Sequence, residues 1–329
     1  MSSDLLINVS HLDRYYGSLQ AVADVSFELR RGEVLGFLGP NGAGKSTTMQ
    51  IITGNLAPSS GQVQICGLDL LDNPRAAKAR VGYLPEQPPL YRELSVDEYL
   101  GFCTRLNRIP KAQQAAALKR AKQRCGLEQV GPRLINNLSK GYQQRVGIAQ
   151  AIIHSPDVVV LDEPTVGLDP IQIREIRHLI RELAEDHAVI LSTHILPEVQ
   201  MTCSRVQIIN QGRLVFSDNI ESLNRSMCAR SLILGLQQPP PFSELESLLQ
   251  NIDGIESVDA LEDGRWRIRH AEAQNPATPI ARLAIENNWE LRELSPETRS
   301  LEQIFLDITA TEQTLPETTD SNTEGEQAA

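Results

Sequence analysis

Long apolar runs are missing from this chain. The strongest, at 158–161 and 188–191, fall far short of the roughly 18 to 20 residues that a membrane-spanning helix needs. The chain is therefore not expected to cross a bilayer by itself. Its first residues, MSSDLLINVS, lack a basic segment followed by an apolar core, so no secretory signal is read and a cytoplasmic location is expected. Cysteine is sparse as well: five thiols, Cys66, Cys103, Cys125, Cys203 and Cys228, are scattered without C-x-x-C spacing. An odd, unpatterned set argues against a disulfide framework and against a zinc site, and fits small core fillers. Aromatic side chains make up only 4% of the 329 residues, yet 41% are hydrophobic and 22% charged. That balance belongs to an ordinary soluble globular protein with room for about two domains, and it excludes disorder throughout and a collagenous repeat.

Positive charge is missing from one end. Residues 1–220 carry 23 basic and 22 acidic side chains, net +1, whereas 221–329 carry 8 and 20, net −12, and all six lysines lie in the first part. Two segments of such different balance are read as two domains. The acidic one is a poor nucleic-acid binder, since phosphates demand Lys and Arg.

What is present is a change of pattern along the chain. The first 80 residues read as strands broken by glycine turns, and apolar and polar residues alternate over 22–29 as in a half-buried strand. Residues 96–129 turn helical, with breakers at Gly101, Pro110 and Gly126, and carry Arg105, Arg108, Lys111, Lys119, Arg120, Lys122 and Arg124 against few acids. That basic face is either simply solvated or in contact with anionic lipid heads or the acidic C-terminal domain. Strand-like VVVLD, a helix over 171–184, strand-like AVILS and a helix over 196–202 follow. Buried strands alternating with helices imply a parallel sheet. Beyond Ser222 the order reads βαββαβ, the split-βαβ or ferredoxin-like pattern, followed by a short helix at LEQIFLDIT. The last 19 residues hold five acids, no base and almost no apolar side chain, so 311–329 is expected to be a disordered acidic tail.

The most specific signal is Gly39-Pro40-Asn41-Gly42-Ala43-Gly44-Lys45-Ser46-Thr47, which fits G-x-x-x-x-G-K-[ST] between an apolar strand and a helix-like segment. Its glycines let successive backbone N–H groups face phosphates, and the helix N-terminus adds its positive dipole end. Lys45 is then expected on the β- and γ-phosphates, and the Ser46 hydroxyl on magnesium. Downstream, the apolar strand VVVL ends in Asp162 and Glu163. Asp162 is placed at the sheet edge to hold magnesium, directly or through water, and Glu163 to act as general base on the attacking water.

Leu138-Ser139-Lys140-Gly141-Tyr142-Gln143-Gln144-Arg145, followed by a helical apolar spacing, completes a set that resembles the ATPase subunit of an ATP-binding cassette (ABC) transporter. The family signature LSGGQ reads LSKGY here, with Lys140 for glycine and Tyr142 for glutamine. The resemblance implies ATP and Mg2+ as ligands, and Ser139 and Gly141 gripping the γ-phosphate of ATP on the other protomer. It implies Tyr16 stacking on adenine, Asp169 in the GLDP loop through which protomers communicate, and His194 contacting the γ-phosphate and positioning water. The family glutamine that touches magnesium after the strand VGYLP is displaced: Glu86 stands at that position and Gln87 follows. The fold expected is an α/β P-loop cassette over 1–220, with a β-rich subdomain, a parallel-sheet core and a helical subdomain at about 96–155. An α+β ferredoxin-like accessory domain over 221–310 follows. Five ordered motifs cover residues 5–220, and GYLPE, LSKGYQQR and GLDPIQ are most similar to the exporter branch with separate permease chains, including gliding-motility-type and drug or polysaccharide exporters.

The implied partners are a separate transmembrane permease, placing the chain peripherally on the cytoplasmic face of the inner membrane, and a second copy of the chain. Lys45, Asp162 and Glu163 supply one wall of an ATP pocket, and Ser139 and Gly141 serve the opposite one, so a two-fold head-to-tail dimer is expected with ATP. The alternative is a cassette ATPase acting on DNA or ribosomes. The fifty-residue segment from Gln87 to Leu138 allows only a small helical subdomain, and the chain has one cassette. No nucleic-acid partner is expected.

Overall fold

The computed structural model describes residues 4–220, 231–261, 263–271, 276–297 and 305. They divide into two compact units, Met1–Ala229 and Arg230–Ala329.

The first unit opens with a long hairpin, β1 (Leu5–Tyr16) and β2 (Leu19–Arg30), turned at Gly17. Along β2 the side chains of Val25, Phe27 and Leu29 are buried and those of Asp24, Ser26 and Glu28 exposed, the period of two expected of a strand with one wet face. With β4 (Ser60–Ile65) and β5 (Leu68–Asp69) these strands form an antiparallel sheet ordered β2-β1-β4-β5.

A second sheet carries the chemistry. It contains β3 (Val34–Leu38), β6 (Val81–Leu84), β7 (Val158–Asp162), β8 (Ala188–Thr193), β9 (Arg205–Asn210) and β10 (Arg213–Asn219), ordered β10-β9-β3-β8-β7-β6. Pairings among β3, β6, β7, β8 and β9 are parallel, and β10 runs antiparallel at one edge. Every residue of β3, β7 and β8 is buried, because both faces of the sheet are covered. Alternate residues separate two cores: Val158 and Val160 join the cluster with β1 and β2, while Val159 and Leu161 join the cluster with the helices. The parallel strands β3, β7 and β8, after which Lys45, Glu163 and His194 follow, thus end at the same edge.

Helices α1 (Lys45–Ile52), α2 (Pro74–Lys78), α3 (Val96–Leu106), α4 (Lys111–Arg124), α5 (Lys140–Ile152), α6 (Pro170–Leu183) and α7 (Leu196–Thr202) complete the unit. Gly101 does not break its helix as the sequence suggested; it lies inside α3. Ser95 and Glu98 form a capping box, and Val96, Tyr99, Leu100 and Cys103 are buried, which outweighs the cost of about 1 kcal/mol for one interior glycine. On α4 only Ala117 and Ala121 are buried. Of the basic residues expected on that face, Lys122 pairs with Asp97 at 2.6 Å and Arg124 with Asp186, while Arg105, Arg108, Lys111, Lys119 and Arg120 are exposed.

The second unit is built from β11 (Ser231–Leu236), α8 (Phe242–Gln250), β12 (Ile255–Ala260), β13 (Arg265–His270), α9 (Ala277–Glu286) and β14 (Leu291–Pro296). Its sheet is ordered β12-β13-β11-β14 with every pairing antiparallel, the split-βαβ arrangement. Leu234, Leu245, Leu249, Ile268, Ile280, Trp266 and Trp289 form its core. The tail 311–329 and, apart from Phe305, the short helix after 300 lie outside the described residues.

Candidate functional site

The phosphate loop joins β3 to α1 at the edge where the parallel strands end. Its tight path excludes side chains at two points. A Cβ on Gly39 would collide with the Ile209 carbonyl, and one on Gly44, whose φ is 102°, would lie 2.5 Å from the Ala21 carbonyl oxygen. Gly44 is also the N-cap of α1 and offers no side-chain cap, so the first N–H groups of the helix stay available to an anion.

Lys45 is buried, and its Nζ donates to the carbonyls of Gly39 at 2.8 Å and Pro40 at 3.1 Å. It also lies 3.7 Å from Glu163 Oε1. Burial pushes its ammonium below the usual lysine range, and the carboxylates of Glu163 and Asp162 oppose that shift. A cavity of about 470 Å³ opens here, lined on the loop side by Asn41, Gly42, Gly44, Lys45, Ser46 and Thr47. Glu86, Glu163, Val166, His194 and Ala21 close the other side. Pro40 and Ala43 shape the loop rather than line the cavity, the Ala43 N–H donating to the Pro40 carbonyl at 3.2 Å.

Glu163 follows β7 with φ at 48°, a left-handed conformation that a side chain with a Cβ adopts at a cost of about 1–2 kcal/mol. Its N–H donates to the Ser192 carbonyl at 2.9 Å, and both carboxylate oxygens sit 2.9 and 3.0 Å from His194 Nδ1. A buried acid is thereby aimed into the cavity with an imidazole beside it. Sequence reading missed what braces these loops. Glu198, buried on α7, accepts from Thr165 Oγ1 and from Thr193 Oγ1, the latter at 2.9 Å, tying the loop after β7 to the end of β8. A lone glutamate at a buried helical position was the only signal for it.

Asp162, at the end of β7, is 2% exposed, and its Oδ1 finds no hydrogen-bond donor among the described residues. An unpartnered buried carboxylate oxygen fits a cation. The described residues contain no cluster of three His, Cys, Asp or Glu able to hold a metal. Magnesium takes one or two protein oxygens and completes its shell with water and substrate phosphates. Ser46, on the first turn of α1, lines the same cavity wall as Lys45.

Of the remaining expected residues, only Glu86 lines this cavity. Ser139 is the N-cap of α5 and its Oγ accepts from the Tyr142 N–H at 3.4 Å; Gly141 is buried in the same helix against Gln172. Neither lines the cavity around Lys45. Asp169 caps α6, accepting from Ile171 and Gln172 N–H at 3.0 and 2.9 Å. Tyr16 ends β1, exposed, with the Arg14 guanidinium 4.8 Å from its ring centre. Glu86 faces the phosphate cavity, whereas both Glu86 and Gln87 line a neighbouring one.

A phosphate loop between strand and helix, with an acid pair at the end of a parallel strand one place further along the same sheet, defines a P-loop ATPase cassette. Comparison with known proteins agrees. The ABC transporter family model matches residues 22–166. The bacitracin transport ATP-binding protein BcrA of Bacillus licheniformis is 31% identical over 308 residues, covering 92% of this chain and 97% of that protein. YhcH, an ABC transporter ATP-binding protein of Bacillus subtilis (strain 168), is 34% identical over 290 residues, 88% of this chain and 90% of its own length. A solved structure of the ATP binding subunit of an ABC transporter matches with TM-score 0.61 at 32% identity, covering 67% of this chain and 92% of that one. The chain belongs to the ATP-binding subunits of ABC transporters.

Proposed function

We propose that this chain hydrolyses ATP to drive a separate membrane permease, in the direction of export. One observation carries the hydrolytic reading: Lys45, Glu163 and His194 converge at 3.7 and 2.9 Å on one cavity, with the unpartnered oxygen of Asp162 at the end of the same strand. Lys45 and the α1 N-terminus bind the phosphates of ATP. Glu163 accepts the proton of the attacking water, and His194, hydrogen-bonded to it, orders the same region. Magnesium, held by Ser46 and Asp162, would neutralise phosphate charge.

Ser139 and Gly141 stand at a helix N-terminus outside that cavity, which supports a site completed by a second copy of the chain when ATP is bound. Loss of the γ-phosphate then weakens the contact between copies, a change that a membrane partner can use. No described helix is long and apolar enough to cross a membrane, so the transport path is assigned to another chain. The direction rests on the similarity of GYLPE, LSKGYQQR and GLDPIQ to the exporter branch, and the bacitracin transport relative points to a similar class of cargo.

The test of the permease uses membranes of the producing cell, stripped of peripheral protein and mixed with the purified chain. Binding to the membranes, with a change in ATPase rate, is expected. A chain that hydrolyses ATP at one rate with or without them, and stays in the supernatant, contradicts the transport reading.

A further inference from the structure

Two residues depart from the resembled family pattern with opposite charge, Glu86 for glutamine and Lys140 for glycine, and the fold brings both to one cavity. This second cavity, of about 500 Å³, shares Glu86 and Val166 with the phosphate cavity and adds Lys140 and Arg92. Charge is unevenly divided between the two. In the phosphate cavity Lys45 already faces Glu163, and Glu86 adds a second carboxylate to the wall that a polyphosphate must approach. The neighbouring cavity holds two cations, and neither they nor Glu86 makes an ion pair with any described residue.

Lys140 also packs against the loop after β7. As the first residue of α5 it extends along Gly167, and a Cβ on that glycine would collide with Lys140 Nζ.

We propose that Lys140 is a positioning residue for nucleotide binding: it draws the Glu86 carboxylate out of the phosphate cavity into the neighbouring one, so that the polyphosphate meets Lys45 without the added opposing charge. The inference rests on the reading of the first cavity as the ATP site. Without Lys140, the carboxylate stays beside the phosphates and repels them. Without Glu86, there is nothing to withdraw and Lys140 loses its effect.

The test is a double-mutant cycle on the full chain, read as equilibrium binding of ATP in excess EDTA, so that neither hydrolysis nor a metal ligand enters. Lys140→Met is expected to weaken ATP binding about tenfold, equivalent to about 1.4 kcal/mol. Lys140→Arg should restore binding to within about twofold, and ADP, with one phosphate fewer, should lose less than ATP. In a Glu86→Gln background, Lys140→Met should change affinity less than about twofold. Equal loss in both backgrounds would mean that Lys140 meets the nucleotide directly, and no loss in either would mean that it does not serve binding; each overturns the proposal. Coupling that appears only with magnesium present also overturns it, since Glu86 would then act through the metal. If the wild-type chain binds no ATP, the reading of the site itself fails, a result separate from the other three.

Discussion

Glu163 occupies a conformation that its own backbone disfavours, and only the surrounding bonds keep it there. Its φ of 48°, the Ser192 carbonyl on its N–H and the His194 ring on its carboxylate fix where a proton can go. Lys45 is fixed comparably by the Gly39 and Pro40 carbonyls, which hold the ammonium over the loop. Replacing Lys45 with alanine removes charge-assisted bonds worth about 1.5–3 kcal/mol, so ATP affinity should fall about 10- to 100-fold in a direct titration. Unchanged affinity would place the phosphates elsewhere. At this scale the phosphate loop was legible because its chemistry is a spacing within nine residues. Glu86 against Gln87 was not, because one residue of register in an irregular loop decides which side chain turns to the phosphates. The cap made by Asp169 was hidden differently: the side chain that the resemblance assigns to communication between protomers is engaged with the first N–H groups of α6.

Elements were read best where period and burial agree. The alternation of β2 and the wholly apolar run of β7 both became strands, one with a wet face and one with two dry ones. Gly101 was misleading because propensity is a local cost, and the buried face of α3 and its capping box act over the whole helix. The loops entering β7 and β8 hold a further link that no pattern announces. His187, 6% exposed, sits 2.6 Å from the Pro156 carbonyl through Nδ1, and its Nε2 faces Arg124 on α4. Burial pushes the imidazole below the usual histidine range, and Arg124 adds to that, against the raising effect of the Pro156 bond. The folded chain therefore binds this proton less readily than the unfolded one. Its contribution to stability is complete above the unfolded value of about 6.5 and is lost as pH falls below it. Thermal melts should show a lower Tm at pH 5.5 than at 7.5, and His187→Gln should lessen the difference. An equal pH slope in the variant would mean that His187 is not a source of it.

For the whole molecule, the net charge of −11 turns out to be a property of one end. The nearly neutral first 220 residues carry every expected site residue, and the acidic surplus belongs to 221–329. The described part of that region is a separate βαββαβ unit with its own core, and no expected ATP-site residue lies in it. Both aligned Bacillus relatives cover more residues than the cassette itself contains, so the likeness is not confined to the ATPase. Within the first unit, the parallel sheet brings Lys45, Asp162, Glu163 and His194 to one edge, while Ser139 and Gly141 lie at the start of α5, outside that cavity. That division is the ground for proposing that the ATPase works as a pair of chains.

Glu163→Gln tests this account most directly, because it removes the proposed base and leaves the proposed phosphate-binding groups in place. Purified with magnesium and ATP, the variant should lose about 10²- to 10⁴-fold in hydrolysis, keep ATP affinity, and sediment as a dimer that reverts to monomer when ATP is removed. A variant that hydrolyses ATP at the wild-type rate, or that stays monomeric at saturating ATP, would contradict it.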